Sequence, residues 1–334
     1  MQFGVLLGDV PGTLDPRDQL DTLLRQAAAA QEAGFALLTI GQHFLYGDVR
    51  WLQPVPTLAR LSAEVDGHVR LATTVLIAPL HEPVLLAEEL ATLDIVTGGR
   101  LIVGLGTGYR REEYRQLGVP WSRRVARLEE AVPLLRALWS QHEVSAAGPT
   151  WRLAGARPHV RPLQQPLPVW IGASGPEGVR RAARLGDAWP IGPRLELDEV
   201  ASLLAVYEAE RVTLAQPVGL QPIRREIVLG PDEATARERF TAMTSVRYAQ
   251  YAQREIATTG GPPPGQESAA AMVGTPGSVR RQLLQLAGEL PVGPVIVRAQ
   301  WPGMDASDVA AYLSELGREV VRPLASACPT RTAG

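Results

Sequence analysis

GGRLIVGLGTGYRREEY, residues 98–114, decides how the rest of the chain is read. Gly98-Gly99 is a turn signal, and the apolar run after it reads as a short buried strand. That strand ends in glycines at 104, 106 and 108. Glycine weakens a strand, so its repetition predicts something flat or bulky lying close to the backbone. A tight turn is the plainer alternative, and an isolated Gly-x-Gly-x-Gly does not separate the two. The other apolar runs do.

Working outward, strand-like runs occur at Phe3–Leu7, Phe35–Ile40, Val69–Ile77, Pro166–Gly172, Gly186–Ile191, Pro222–Leu229 and Val292–Gln300. Helical patterns separate them. The first opens at Asp15-Pro16, where proline is tolerated, and closes on Gly34. Others cover about 54–65, 83–96, 124–139, 179–185, 197–214, 232–256, 276–290 and 306–321. A small hairpin is expected at Val144–Leu153, around Gly148-Pro149. Strands alternating with helices imply a parallel sheet, and eight such units imply a (β/α)₈ TIM barrel. We expect a single α/β domain over 1–325 with a tail at 326–334 and insertions after strands 4 and 7. A doubly wound sheet is the alternative, because strand order is not written in one sequence.

Composition narrows the function classes. The chain has 334 residues, 46% of them hydrophobic, and a net charge of −2. That balance offers no basic surface for nucleic acid. All 33 basic residues are arginine, so a Schiff-base lysine is excluded. The lone Cys328 sits in a Pro/Thr-rich tail and is no candidate nucleophile. There is neither a signal-peptide pattern nor an apolar run of membrane-spanning length, so no membrane role and a cytoplasmic location are expected. The five histidines are scattered without metal-ligand spacing, and no metal is expected.

In a TIM barrel the chemistry collects at the C-terminal ends of the strands. Those ends carry Gln42 and His43, Thr73 to Ile77, Gly106 to Tyr109, Ser174 to Gly178, Trp189 and Trp301. Glycines, hydroxyls, aromatic rings and one histidine suit a large aromatic cofactor. Two carboxylates for glycoside hydrolysis are missing from these ends. Tyr109, Tyr114, Trp189 and Trp301 are expected to rim the site. Ser174, Gly175 and Gly178 open a helix, where free N–H groups and the helix dipole favour a phosphate.

These residues resemble the bacterial luciferase-like, flavin-dependent monooxygenases and their relatives that use a 5-deazaflavin. The resemblance rests on Gln42-His43-Phe44, on Leu71 to Pro83 with Leu90 to Asp94, and on Gly98 to Tyr109 with Glu113. Pro168 to Gly172, Gly186 to Trp189 and Gly274-Thr275-Pro276 complete it. It implies a catalytic His43, although Gln42 falls where the luciferases keep their principal catalytic histidine. It further implies a cis peptide at Thr74-Val75 beneath the flavin ring, and cofactor contacts from Gly106, Thr107 and Tyr109. The cofactor phosphate would lie on Ser174, Gly175 and Gly178. Thr107 stands where luciferases place a phosphate-binding arginine, so the resemblance implies either that Arg110, Arg124 or Arg127 supplies that charge or that the charge is missing.

The implied activity is oxygenation of a small organic substrate with O₂ and FMN reduced by a separate reductase. Hydride transfer with a deazaflavin (coenzyme F-420) is the alternative, towards which Gln300-Trp301-Pro302-Gly303 leans, and a non-catalytic flavin-binding relative is the third possibility. Thr258–Gln266 is a candidate lid. A homodimer packing the second and third helices, with Leu85, Leu86 and Leu90 in the contact, is also implied.

Overall fold

In the first strand every residue is buried, but the two faces belong to different cores. Phe3, Val5 and Leu7 join the large cluster shared with the helices. Leu6 joins a smaller one with Leu37, Ala72, Ile102, Trp170, Ala188 and Ile296. Successive strand residues face opposite sides. Burial of both sides is what a parallel barrel sheathed in helices and plugged by its own side chains demands.

The computed structural model describes residues 1–8, 10, 14–46, 51–253 and 270–327, with 246–253 and 327 described by backbone alone. The lid candidate Thr258–Gln266 and Cys328 lie outside the described residues. The strands are β1 (Phe3–Leu7), β2 (Leu37–Ile40), β3 (Arg70–Thr73), β4 (Leu76–Ile77), β5 (Leu101–Gly106), β6 (Val144–Ala147), β7 (Arg152–Ala156), β8 (Val169–Ile171), β9 (Gln221–Arg224), β10 (Ile227–Leu229), β11 (Met272–Gly274) and β12 (Val292–Arg298). The helices used below are α1 (Pro16–Ala33), α2 (Pro54–Ser62), α3 (Pro83–Val96), α4 (Arg111–Gln116), α5 (Arg124–Ser140) and α6 (Gly175–Leu185).

Parallel pairing runs from β9 through β12, β1, β2 and β3 to β5, and from β5 to β8. Parallel bridges Trp170–Ala188 and Ile191–Ile223 close the ring. The stretch expected as a sixth strand, Gly186–Ile191, is therefore the sixth of eight staves, between β8 and β9, reduced to bridges. Pro190 lies between the two bridging residues and has no N–H for a ladder. Asp15 caps α1 by accepting from the Arg17 N–H, and Gly34 ends it at φ 95°, as the sequence implies. The expected hairpin is the antiparallel pair β6–β7.

Two expectations change. The seventh strand, read as Pro222–Leu229, is two strands. β9 stays in the barrel, while β10 leaves it to pair with β11. The break falls at Arg225, whose guanidinium donates to the carbonyls of Gly192 and Leu195. What lies against the glycines of β5 is the chain itself. A Cβ at Gly104 would stand 2.0 Å from the Thr73 carbonyl oxygen, and one at Gly106 would stand 2.7 Å from Val75 Cγ2. Between β3 and β4 the chain carries one more residue than β5 does opposite it, since Ala72 pairs with Ile102 but Leu76 pairs with Leu105. The Thr74–Val75 peptide in this bulge is cis, where the resemblance implied it.

Candidate active site

The strand ends open into a cavity of about 540 Å³ whose wall runs from Val75 and Tyr109 to Ser174, Arg124 and Arg194. A second space of about 140 Å³ adjoins it on the His43 side, and a third of about 120 Å³ lies towards the barrel floor. Val75 and Arg224 border all three.

His43 follows β2 and is held from both ring nitrogens. Its Nδ1 lies 2.9 Å from Glu113 Oε1, and its Nε2 lies 3.0 Å from the Tyr109 hydroxyl. A carboxylate only accepts, so Nδ1 carries the hydrogen and Nε2 of the neutral ring accepts from Tyr109. Glu113 is 1% exposed. It sits on α4 and also accepts from the Phe44 N–H at 3.0 Å and from Arg110 at 3.2 Å. The Tyr46 and Trp51 rings flank the imidazole at 4.5 and 4.8 Å between centroids. The result is a buried carboxylate, an oriented imidazole and a phenol in line, with the phenol on the cavity wall.

Gln42 has a different task. Its Oε1 accepts from the Ile77 N–H and from His81 Nε2, and its Nε2 donates to Gln53 Oε1. Gln53 in turn donates to the His43 carbonyl. Gln42 thus ties the end of β2 to β4 and to the loop before α2. Burial pulls the His81 imidazole down to about 4, so at neutral pH it is the uncharged partner of Gln42.

At the far end of the large cavity Ser174 precedes α6 in an extended conformation with no side-chain cap, and Gly175 takes φ 68°. The first turn leaves backbone N–H groups without helical partners, although Pro176 has none to give. Trp189, fully buried, fixes this loop by donating from Nε1 to the Ala173 carbonyl at 3.0 Å. Arg124 is the one of the three arginines considered from sequence that borders the cavity. It stacks on Trp121 with Cζ 4.0 Å from the ring centroid. Arg110 is committed to Glu113 and lies over Tyr46. Arg127 donates to the Pro79 carbonyl and stacks on Trp151.

Val75, Gly106, Thr107, Tyr109, Ser174 and Gly178 all border the large cavity, and Thr74 and His43 border its neighbour. The expected aromatic rim reduces to Tyr109. Tyr114 is buried and donates to the Thr107 carbonyl, and Trp189 and Trp301 are core residues. Gln300 is buried between Gln26 and the Met304 carbonyl, so it supports the loop after β12. Sequence reasoning did not place Arg224, Glu226 and Arg298 on the cavity walls. The inward alternation of Arg224 on β9 and Arg298 on β12, next to Ile223 and Val297, is the signal that was available for those two, whereas Glu226 lies between β9 and β10. In the sequence Glu113 stands out only through its place beside the Gly98–Tyr109 motif. Among the described residues no group of three or more His, Cys, Asp or Glu could hold a metal, and no helix is long and apolar enough to cross a membrane.

Residues 1–291 match the family model described as luciferase-like monooxygenase, and the chain belongs to that family. It is 33% identical over 184 residues to an F420-dependent glucose-6-phosphate dehydrogenase of Amycolatopsis mediterranei, covering 52% of this chain and 53% of that one. The chain spans just over half the length of such curated relatives. The monooxygenase RslO1 from Streptomyces bottropensis superposes with a TM-score of 0.80 at 22% identity, covering 97% of this chain and 100% of its own. The oxygenating constituent of 3,6-diketocamphane monooxygenase from Pseudomonas putida, in complex with FMN, gives 0.80 at 14% identity, covering 96% and 98%. At these identities the structural likeness is one of fold, and the fold is the luciferase-like TIM barrel.

Proposed function

We propose that this luciferase-like oxidoreductase moves a hydride between a bound deazaflavin and a small alcohol or carbonyl substrate, with His43 handling the proton on the substrate oxygen. The observation that carries this reading is the line Glu113–His43–Tyr109. Taking hydride from a carbinol carbon leaves one proton on its oxygen, and a base must accept it. His43 Nε2 is that base, directly or through the Tyr109 hydroxyl. Glu113 fixes the tautomer and offsets the charge that appears on the ring, as carboxylate–imidazole pairs do elsewhere. Arg110 and the Phe44 N–H hold Glu113 in place. Tyr46 and Trp51 keep water from the imidazole.

The residues fit a flavin-type cofactor. The large cavity has room for it, and the Val75 side chain in the cis bulge offers an apolar surface for its ring. Ser174, Gly175 and Gly178 at the start of α6, with Arg124 beside them, would hold its phosphate. When bound, a deazaflavin supplies the hydride acceptor and donor. The name of the 33%-identical dehydrogenase supports this choice of cofactor.

The second reading is oxygenation with O₂ and FMN reduced by a separate reductase. The fold shared with an FMN-bound oxygenating enzyme supports it, and the same residues would hold FMN. Exposed Leu85, Ile95 and Val96 on α3 support a homodimer packed through α2 and α3. Leu86 and Leu90, considered for that contact from sequence, are buried in the core.

Titration of the purified protein with deazaflavin and with reduced FMN, in parallel and without oxygen, tests the reading. Deazaflavin binding that is the tighter of the two, together with deazaflavin reduction by an alcohol panel that His43→Asn abolishes, is the expected result. Binding of reduced FMN alone would overturn hydride transfer with a deazaflavin.

A further inference from the structure

The 140 Å³ space beside the main cavity is bordered by the proton relay, His43 and Tyr109, and also by Arg224 and Arg298. The relay needs no second and third cation. Arg224 ends β9, where Ile223 packs outward into the large core and the next side chain turns inward. Its Nε is buried without a hydrogen-bond partner. Two hydroxyls are in the same condition, Thr39 Oγ1 and Thr74 Oγ1. Both border the 120 Å³ floor space together with Arg224, and Thr39 is completely buried. The carboxylate on the neighbouring wall, Glu226, borders the larger cavity alongside Arg194.

Three unpartnered donors around one small space are costly by themselves, since each buried polar group without a partner forfeits its hydration. A compact anion satisfies all three. A guanidinium is a planar fork that matches a carboxylate, and a hydroxyl can add a third hydrogen bond. The 120 Å³ space that these three groups border has room for a compact anion such as a carboxylate.

We propose that Arg224, with the Thr39 and Thr74 hydroxyls, is the anion subsite for the substrate, and that the substrate is a small hydroxy acid or oxo acid. Its carboxylate lies on Arg224, and its carbinol or carbonyl oxygen faces His43 and Tyr109. Arg224 is then a specificity-determining residue. The identity of the reacting oxygen rests on the hydride-transfer reading, whereas the anion subsite does not.

The test is calorimetric titration of the cofactor-free protein with pyruvate, acetone and inorganic phosphate, for the wild type, Arg224→Met, Arg224→Lys and Thr39→Val. Deazaflavin is titrated separately into each. In the wild type pyruvate should bind at least about tenfold more tightly than acetone, a preference worth about 1.4 kcal/mol. Arg224→Met should erase that preference, Arg224→Lys should keep part of it, and Thr39→Val should weaken it. Deazaflavin affinity should change by less than about twofold across the set. Should Arg224→Met fail to fold, the other two variants decide. Equal binding of pyruvate and acetone, or a preference that survives Arg224→Met, would overturn the subsite. Phosphate binding that is tighter than pyruvate binding and is lost in Arg224→Met would overturn its assignment to a carboxylate; phosphate binding that survives Arg224→Met belongs to the Ser174 loop. A deazaflavin affinity that collapses with Arg224→Met would move Arg224 to the cofactor. If the wild type binds pyruvate through Arg224 but no deazaflavin, the reaction reading fails and the anion subsite stands.

Discussion

His43 Nδ1 and Glu113 Oε1 stand 2.9 Å apart, although seventy positions separate the two residues in the chain. Because Glu113 is buried, its charge is poorly screened and its hold on the imidazole tautomer is strong. Glu113→Gln keeps the shape and removes the charge. We expect kcat to fall about 100-fold or more, the usual scale for disabling a general base, with a shifted pH–rate profile and a cofactor affinity close to that of the wild type. Steady-state kinetics across pH would check this. A loss smaller than about threefold would count against the relay.

His81 predicts an acid sensitivity with a definite sign. Burial holds its folded value near 4, below its ordinary 6.5. Between those values the unfolded chain binds the proton and the folded chain does not. Stability is therefore full above pH 6.5 and is lost as pH falls towards 4, by on the order of 3 kcal/mol. Denaturant midpoints measured from pH 7 to pH 4 should fall accordingly, and His81→Asn should flatten that slope.

Gly104 and Gly106 should respond unequally to alanine. At 104 the new methyl group meets a backbone carbonyl, which cannot turn aside, whereas at 106 it meets one methyl group of Val75. Gly104→Ala should cost about 3 kcal/mol and Gly106→Ala about 1 kcal/mol. Urea unfolding of both variants checks the order. Equal costs would mean that the bulge yields more easily than its geometry implies.

Arg124 is held in position by stacking on Trp121, so it reaches the α6 end of the cavity with little entropy left to lose. Arg124→Met should weaken cofactor binding about tenfold, and the difference from wild type should shrink at high salt. Titrations at low and high ionic strength would show it. A loss independent of salt would mean that Arg124 packs against the cofactor and does not serve its phosphate.

The alternation of β-branched and apolar runs with helical patterns made the barrel legible, because that order forces parallel strands whatever the side-chain detail. The α1 start at Asp15-Pro16, its end at Gly34 and the β6–β7 hairpin follow from local conformational preferences that act within a few residues. The division of Pro222–Leu229 was not legible. Arg225 and Glu226 interrupt the apolar run, but only the Gly192 and Leu195 carbonyls show what Arg225 holds.

By itself the sequence determined the eight β/α units, the glycine-lined fourth strand of the barrel and the Ser174-Gly175 opening of a helix, since these depend on periodicity and backbone freedom. Only the tertiary structure decided that the β5 glycines make room for Thr73 and Val75, and that Gln42 is structural while His43 meets Glu113 and Tyr109. It also decided that Tyr114, Trp189 and Trp301 are core and Arg224 is on the cavity wall. The physical reason is common to all of these. A residue type states what bonds a side chain can make, but which partner lies within 3 Å is set by barrel closure, which brings the ends of distant strands to one mouth.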